Sequence, residues 1–475
     1  MCFRGLSTRI DPMRSFYVEN FGCRATQADG AALERELLDR GYRRAVTSQQ
    51  ASVVIVNTCT VTNSADQQAR QAVRRFHREN PMGRILVTGC YAQRAPHDLA
   101  AIPGVNWVVG NSHKSEIPRF LERELPAENR PQGAFDVPLS SLAPTPDEWT
   151  IANSPAKVIT GNVFEQTQLL SAPVFGNDRS GERTRPTLKI QDGCNNRCSY
   201  CVIPFVRGHS RSLAPDAVVE QVKQLVDAGY KEVVLSGINL GSYGRDCSPR
   251  ATLLRLIECI LKETPLPRLR LSSIEPMDIT PDYISLVASS DRIARHFHVP
   301  LQSGSDRILR AMHRWYKAAE YGGRIAAIRE CLPDAGIGAD VMVGFPGERD
   351  DDFDATRRLI EELPFTYLHV FTFSKRPGTR AFTLGNEVPP LVAKARSTEL
   401  RALAAEKNRA FREQQIGREL SALTLATPQG GADGAANAIS DNYLKVAIRA
   451  ADLPSNEFFT VRVTGLTADG LEANL

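Results

Sequence analysis

A chain of 475 residues, 42% of them hydrophobic and 24% charged, is long enough for about three domains and has the balance of a protein that packs several cores in water. Its formal net charge of +4 and pI near 8.5 permit a nucleic-acid partner without demanding one. No apolar run is long enough to span a bilayer and residues 1–12 hold no secretory core, so the ten cysteines read as reduced thiols of a cytoplasmic protein rather than a secreted disulfide framework.

From Ser15 the pattern alternates strand and helix. Residues 15–21 read as strand, 28–40 as a helix with Ala32, Leu33 and Leu37 at helical spacing and Gly41 as its stop, 52–57 as strand, 64–79 as helix and 84–88 as strand. Such alternation predicts a parallel sheet with helical crossovers. Each strand runs into a cysteine: Cys23, Cys59 and Cys90. The carboxyl ends of neighbouring parallel strands share one edge, where ligands bind, so the three are expected to converge on a cluster site with three thiolates. Burial as small core residues is the competing reading, and it accounts for one such cysteine more readily than for three at equivalent positions.

After residues 108–110 and a helix around 116–125, the proline-studded segment 126–183 reads as an interdomain linker with a strand at 164–170, and no chemistry is assigned to it.

The βα alternation resumes near residue 185. Strands are expected at 187–190, 232–236, 269–274, 297–301, 339–344 and 367–373, separated by amphipathic helices such as 216–228 and 350–362, which predicts a barrel or an incomplete one. The first strand feeds a loop containing Cys194, Cys198 and Cys201 in the pattern C-x-x-x-C-x-x-C. Three thiolates leave one iron of a cubane cluster open to a substrate or cofactor. Zinc is the competing ion, but zinc motifs usually add a second cysteine pair or nearby histidines, and none follows at that distance. The spacing resembles the radical S-adenosylmethionine signature, in which the open iron chelates the amino and carboxylate groups of the cofactor.

Later loops put Gly237, Asn239, Ser273, Glu275, Gln302 and Gly344 at the same edge as candidate cofactor contacts. Glycine lets backbone approach a ligand, and the polar residues can hydrogen-bond ribose hydroxyls or an ammonium group. Taken singly, each reads more readily as turn chemistry than as a ligand contact, and their shared position at strand ends reverses that weighting. Arg207 and Arg211, beside the cysteine loop, read either as contacts to phosphate or cofactor carboxylate or as structural ion pairs. Cys259 and Cys331 read as packing residues and Cys247 as an incidental loop thiol.

The basic stretch 392–415, with Lys394, Arg396, Arg401, Lys407, Arg409 and Arg412, reads as a helix with a solvated face, direct RNA contact being the less favoured alternative. Short β-like runs at 421–426, 444–448, 458–463 and 470–474 predict a small antiparallel barrel, a common nucleic-acid binding shape.

Over nearly its whole length the chain resembles the radical S-adenosylmethionine methylthiotransferases. The resemblance rests on the two cysteine triples and on Ile203-Pro204-Phe205-Val206-Arg207-Gly208 after the second. It implies an α/β protein with an auxiliary-cluster domain at 13–125, a linker at 126–183, a partial (βα)6 radical-SAM barrel at 184–415 and a TRAM-like RNA-binding β-barrel at 416–475. Cys23, Cys59 and Cys90 would hold an auxiliary 4Fe-4S cluster, and Cys194, Cys198 and Cys201 the radical-generating 4Fe-4S cluster. Two S-adenosylmethionine molecules would serve each turnover, one as methyl donor and one as source of a 5′-deoxyadenosyl radical that removes hydrogen from C2 of an adenine base.

Asn57-Thr58-Cys59-Thr60-Val61-Thr62-Asn63, Val87-Thr88-Gly89-Cys90-Tyr91-Ala92-Gln93, Lys189-Ile190-Gln191-Asp192-Gly193-Cys194-Asn195-Asn196 and Ser272-Ser273-Ile274-Glu275-Pro276 most resemble the branch acting on threonylcarbamoyladenosine in tRNA. The implied partners are a tRNA anticodon loop and an electron donor such as flavodoxin or ferredoxin, with no membrane, for a cytoplasmic monomer. The alternatives are isopentenyladenosine in tRNA, an aspartate of a ribosomal protein, or a non-catalytic iron–sulfur RNA-binding protein. One departure is Thr26, where the family usually has asparagine, a position that bears on the orientation of the cluster loop.

Overall fold

The computed structural model describes residues 14–125, 156–166, 169, 184–426, 435–450 and 453–475. The chain divides into two compact units, 1–170 with 203–208, and 171–202 with 209–475.

The first unit is built on a six-stranded sheet. Its strands are β1 (Ser15–Asn20), β2 (Arg43–Arg44), β3 (Val53–Thr58), β4 (Arg84–Gly89), β5 (Val105–Gly110) and β6 (Lys157–Ile159). They lie in the order β2-β1-β3-β4-β5-β6, every neighbouring pair parallel. Helices α1 (Arg24–Asp39), α2 (Asn63–Glu79), α3 (Cys90–Arg94), α4 (Pro96–Ala100) and α5 (Ile117–Glu124) make the connections, and a short α6 (Ile203–Arg207) belongs to the same unit. β3 is buried along its whole length, as a central parallel strand covered on both faces must be. Its residues divide with period two: Val54 and Val56 join Val73 and Phe76 of α2 in one core, while Val53 and Ile55 join Leu33 and Leu37 of α1 and Phe120 of α5 in the other. α2 starts where the Thr62 side chain accepts from the Ala65 N–H at 3.2 Å, with Asp66 in its first turn and Arg78 in its last.

One strand lies elsewhere than expected. Within the segment read as linker, Lys157–Ile159 pairs with β5, whereas the described part of 164–170 contributes only to the 3-10 turn Val163–Glu165. Lys157-Val158-Ile159 is too short for periodicity to mark it, and its strand conformation comes from the open edge of β5.

In the second unit, β7 (Thr187–Asp192), β9 (Glu232–Gly237) and β10 (Arg268–Leu271) run parallel, with β8 (Arg211–Ser212) antiparallel on the edge. β11 (His296–His298), β12 (Gly336–Val343) and β13 (Tyr367–Thr372) form a second parallel set. Isolated parallel bridges Leu269↔Ile293 and Ser273↔His298 join the sets. Six parallel strands therefore follow one another, linked by α7 (Pro215–Asp227), α8 (Leu253–Glu263), α9 (Pro281–Ser289), α10 (Asp306–Ala311), α11 (Ala318–Cys331) and α12 (Asp350–Glu362). This is the expected incomplete (βα)6 barrel. Leu188, Ile190, Val233, Leu235, Ile337, Ala339 and Val341 pack against the helices. The alternate positions, Lys189, Gln191, Arg270, His298 and Asp340, turn polar groups to the opposite face.

The long helix α13 (Pro390–Glu413) leads to a closed five-stranded barrel of β14 (Glu419–Thr424), β15 (Ala436–Ser440), β16 (Lys445–Ile448), β17 (Phe458–Leu466) and β18 (Leu471–Asn474). β15 had no sequence signal, since its Ala and Asn residues follow a glycine-rich stretch. The barrel is also not wholly antiparallel, because β16 and β18 pair in parallel to close it. Of the six cations on α13, Lys394 and Arg409 lie on the exposed face and the other four bond other elements. Arg396 bonds Glu348 and Asp350, Arg401 the Val370 carbonyl, Lys407 the Leu363 carbonyl, and Arg412 the carbonyls of Thr467 and Gly470.

Arg270 fixes this barrel within its unit. Fully buried, it grips Glu232 (Nε to Oε1 2.7 Å, Nη2 to Oε2 3.2 Å) and donates to the Ser440 and Asp441 carbonyls, each at 3.0 Å. Burial alone would raise the Glu232 pKa, but the guanidinium groups of Arg270, Arg185 and Arg268 outweigh it and hold the carboxyl below its usual value.

Candidate functional site

The first unit brings its three cysteines to one place. β3 lies between β1 and β4, with Asn20 level with Asn57, Asn57 with Thr88, and Thr58 with Gly89. The three strands end together, and Cys23 precedes α1, Cys59 follows β3, and Cys90 opens α3. Two glycines make the approach possible. Gly22 has φ +110° and a Cβ on it would stand 2.4 Å from the Cys59 Cβ, while Gly89 has φ +101° and its Cβ would stand 2.3 Å from the Thr58 carbonyl oxygen. Burial pushes the Cys59 thiol up to about 12, with the neighbouring Cys90 and Cys23 adding to the shift. A group that favours the thiolate form, as a metal does, would relieve that cost.

Polar side chains surround the sulfurs. Asn111 Nδ2 donates to Cys90 Sγ at 3.5 Å and to the Val206 carbonyl at 2.8 Å. Thr26 Oγ1 lies 3.6 Å from Cys23 Sγ and accepts from Arg207 Nη2 at 3.5 Å. Behind them, Asp29 Oδ2 receives Arg207 Nη2 at 2.9 Å and Lys114 Nζ at 3.0 Å, and Lys114 also donates to Asn57 Oδ1 at 3.2 Å. Asp29, Lys114 and Arg207 are all buried. Arg207 is thus an ion-pair residue of this site. Asp29, Lys114 and Asn111 carried no sequence signal, because their partners lie far away in the chain.

In the second unit, the loop after β7 carries Cys194, Cys198 and Cys201. Gly193 at φ +70° turns the chain, its N–H donating to Asp192 Oδ1 at 2.8 Å, and Lys189 Nζ holds Asp192 Oδ2 at 2.8 Å. Ser199 anchors the loop, with its N–H on the Met312 carbonyl at 3.0 Å and its hydroxyl on the Ala311 carbonyl at 2.8 Å. Burial raises the Cys194 thiol above its ordinary value. Arg314, absent from the sequence-based candidates, donates to Cys198 Sγ at 3.5 Å and to Glu275 Oε1 at 3.2 Å. Arg211 is buried beside Asp192 at 3.9 Å, an ion-pair environment.

Of the candidate cofactor contacts, Asn239 and, through Arg314, Glu275 reach this loop. Asn239 Nδ2 reaches Cys194 Sγ at 3.9 Å, and the Asn239 N–H bonds Gln191 Oε1 at 2.8 Å. Gly237 ends β9, where a Cβ would come 3.0 Å from that same Gln191 oxygen. Gln302 is buried with φ +64°. Gly344, at φ +76°, donates its N–H to Glu348 Oε2 at 3.0 Å. Ser273 is exposed and bridges to His298, and Glu275 is committed to Arg314. Among the described residues, Asn239 Oδ1 and Gln302 Oε1 are buried without a hydrogen-bond partner. Both are acceptors at strand ends, and Asn239 stands beside the Cys194 thiol, which suits a ligand rich in ammonium and hydroxyl donors.

One further cluster is carried by β11, β12 and β13. Asp340 Oδ1 sits 3.2 Å from His298 Nε2 and 3.2 Å from His369 Nδ1, and Tyr367 Oη lies 2.7 Å from His296 Nε2 and 3.0 Å from His298 Nδ1. Burial pulls the Asp340 carboxyl up, but its bonds to the two imidazoles hold it well below the usual carboxylate range. Cys259 packs partly buried against the core and Cys247 is a half-buried loop thiol, whereas Cys331 is exposed at the end of α11, where the helix face turns from the core.

Residues 15–110 match the family described as "Uncharacterized protein family UPF0004", and residues 188–360 match the "Radical SAM superfamily". The chain is 35% identical over 441 residues, covering 93% of it and 91% of the relative, to the threonylcarbamoyladenosine tRNA methylthiotransferase MtaB of Bacillus subtilis. It is 37% identical to the Aquifex aeolicus protein of the same name, over 86% of this chain and 92% of that one. It is also 32% identical to the tRNA-2-methylthio-N(6)-dimethylallyladenosine synthase of Clostridium tetani, over 79% of this chain and 77% of that one. Among solved structures, the radical S-adenosylmethionine methyltransferase TsrM of Kitasatospora setae, with cobalamin and a 4Fe-4S cluster bound, superposes with a TM-score of 0.53 at 16% identity, over 78% of this chain and 74% of that one. That likeness concerns the fold.

Proposed function

Because the chain belongs to the radical S-adenosylmethionine methylthiotransferase family, we propose that it places a methylthio group on C2 of N6-threonylcarbamoyladenosine next to the anticodon of a tRNA. The observation that carries the reading is the pair of three-cysteine sites, each at the carboxyl ends of parallel strands. The choice of base rests on relatives bearing that name at 35% and 37% identity.

In this reading Cys194, Cys198 and Cys201 hold a 4Fe-4S cluster with one iron open to S-adenosylmethionine, and Cys23, Cys59 and Cys90 hold a second cluster. These groups supply one-electron chemistry and a methylated sulfur when bound, which side chains alone cannot provide. The protein contributes placement. Asn239 and Gln302 offer acceptors to the cofactor's donors, Glu275 is held in place by Arg314, and Gly237 and Gly344 keep the strand ends clear of side chains. Ser273, being exposed, stands at the rim of this set. The small β-barrel and an unstacked anticodon-loop base fit the usual mode of RNA recognition. A low-potential donor such as flavodoxin or ferredoxin would deliver electrons to a cytoplasmic monomer. Among the described residues no helix is long and apolar enough to cross a membrane.

Isopentenylated adenosine is the second reading, favoured by the Clostridium tetani relative. Nucleoside mass spectrometry of tRNA from a strain lacking the gene separates the two. Loss of 2-methylthio-threonylcarbamoyladenosine supports the proposal, and loss of the isopentenylated product instead refutes it.

A further inference from the structure

Three neighbouring strands of the second unit bring two imidazoles and a carboxylate to one point. His298 of β11, Gly338 of β12 and Tyr367 of β13 lie in one register row, and Asp340 and His369 lie in another, two residues further along β12 and β13. Residues two apart in a strand share a face, so these side chains rise on the same side of the sheet. Asp340 turns a single oxygen, Oδ1, to His298 Nε2 and to His369 Nδ1, each at 3.2 Å. The three donor atoms all lie within 4.8 Å of one another.

That spacing suits a shared ion. Donor atoms about 2.0–2.2 Å from one metal, at octahedral or tetrahedral angles, stand roughly 3–3.5 Å apart. Plain hydrogen bonding is the competing reading, and both imidazoles would then crowd the same carboxylate oxygen. The surroundings of His298 favour the ion. A metal-bound imidazole usually donates its other N–H to an oxygen that fixes the ring, and His298 Nδ1 has the Tyr367 hydroxyl at 3.0 Å. Gly338 makes this contact possible, because it stands between the two residues in the row and a Cβ on it would lie 2.0 Å from the Tyr367 ring. The bare glycine lets the ring cross toward β11.

Access is provided from one side. The His298 and Asp340 side chains are 8% and 28% exposed, whereas that of His369 is 64% exposed, so the His369 side gives an ion a way in and leaves coordination positions open. Burial opposes a charge on Asp340, but its bonds to the two imidazoles outweigh that and keep the carboxyl ionised at neutral pH.

We infer that His298, Asp340 and His369 bind a divalent first-row transition cation, such as manganese, iron or zinc, with water or a carboxylate in its remaining positions. Two nitrogens and one carboxylate oxygen are donors that such ions accept, while a cubane cluster takes thiolates. The site is therefore separate from both cysteine triples, and it does not depend on what they hold.

The test is titration of the full-length chain with divalent manganese after anaerobic iron–sulfide reconstitution, followed through loss of the six-line electron paramagnetic resonance signal of the free ion. Manganese prefers oxygen and nitrogen to thiolate, so thiols left without iron do not compete for it. One ion should bind per chain, and zinc should displace it, since affinity at such sites is lowest for manganese. His369→Ala and Asp340→Asn should abolish the binding, and Tyr367→Phe, which keeps the ring, should weaken it about tenfold. The His369 side chain is largely exposed, so its loss should leave the circular dichroism spectrum of the parent unchanged. A parent that binds no manganese, or binding undiminished in His369→Ala and Asp340→Asn, overturns the inference and leaves a hydrogen-bonded cluster.

Discussion

Arg314 donates to the sulfur of Cys198 at 3.5 Å and with the same guanidinium holds the carboxylate of Glu275. One side chain thus ties the cysteine loop after β7 to the end of β10, and it puts a positive charge against the sulfur of a proposed cluster ligand. Hydrogen bonds to charged groups contribute about 1.5–3 kcal/mol. Arg314→Met is therefore expected to slow reductive cleavage of S-adenosylmethionine about tenfold or more with iron content retained, because each tenfold step corresponds to ~1.4 kcal/mol of barrier. Release of 5′-deoxyadenosine measured beside iron content checks this. Full cleavage in the variant would remove Arg314 from the site.

Gly89 adopts a conformation that side chains rarely tolerate, and a methyl group there would strike the Thr58 carbonyl at 2.3 Å. Gly89→Ala should destabilise the metal-free chain by about 1–3 kcal/mol, seen as a lower urea midpoint. It should also displace Cys90, the next residue, and so release the iron of the cluster proposed for Cys23, Cys59 and Cys90. Retention of that iron would mean that β3 and β4 can part without moving the cysteines.

Replacing Cys23, Cys59 and Cys90 together by alanine should remove about half of the iron, as the proposed assignment of one cubane cluster to each cysteine triple requires. Cleavage of S-adenosylmethionine should continue while methylthiolated nucleoside is lost. An unchanged iron content, measured with sulfide after anaerobic reconstitution, would take the second cluster out of the mechanism.

The buried pair of Glu232 and Arg270 makes stability depend on pH in a definite direction. The folded carboxyl titrates below its ordinary value of 4.5, so the unfolded chain binds the proton first. Its contribution is present above pH 4.5 and is lost as pH falls below that value toward the folded pKa. Glu232→Gln should flatten this acid slope in urea unfolding and cost about 3–5 kcal/mol at neutral pH, because Arg270 loses its counter-charge. A variant with the parent's acid slope would exclude Glu232 as its source.

The features legible in sequence were those with a short repeat distance. β3 and the barrel strands showed themselves through runs of apolar residues, and the cysteines through their place at strand ends. Pairings across long separations left no trace. Asp29 sits in α1 and reads as a solvated helix residue until Lys114 and Arg207, 85 and 178 residues away, are brought to it. In the same way, the partners of Arg396, Arg401 and Arg412 of α13, at Glu348, Val370 and Thr467, lie on other elements and left no mark near the helix in the sequence. Arg314 was overlooked because nothing in its neighbourhood of sequence says that it meets a cysteine 116 positions earlier.

The first unit is not a continuous piece of chain: it is left near residue 170 and completed by 203–208. During synthesis its three thiols can gather as soon as β4 has formed, but Arg207 is made only after Cys194, Cys198 and Cys201 have been added. A fragment ending at residue 170 would own every sulfur of the first site and still lack one of its two cations. The finished polar setting of that site is thus postponed until the second set of cysteines exists, which in the proposed two-cluster reading orders the maturation of the two sites.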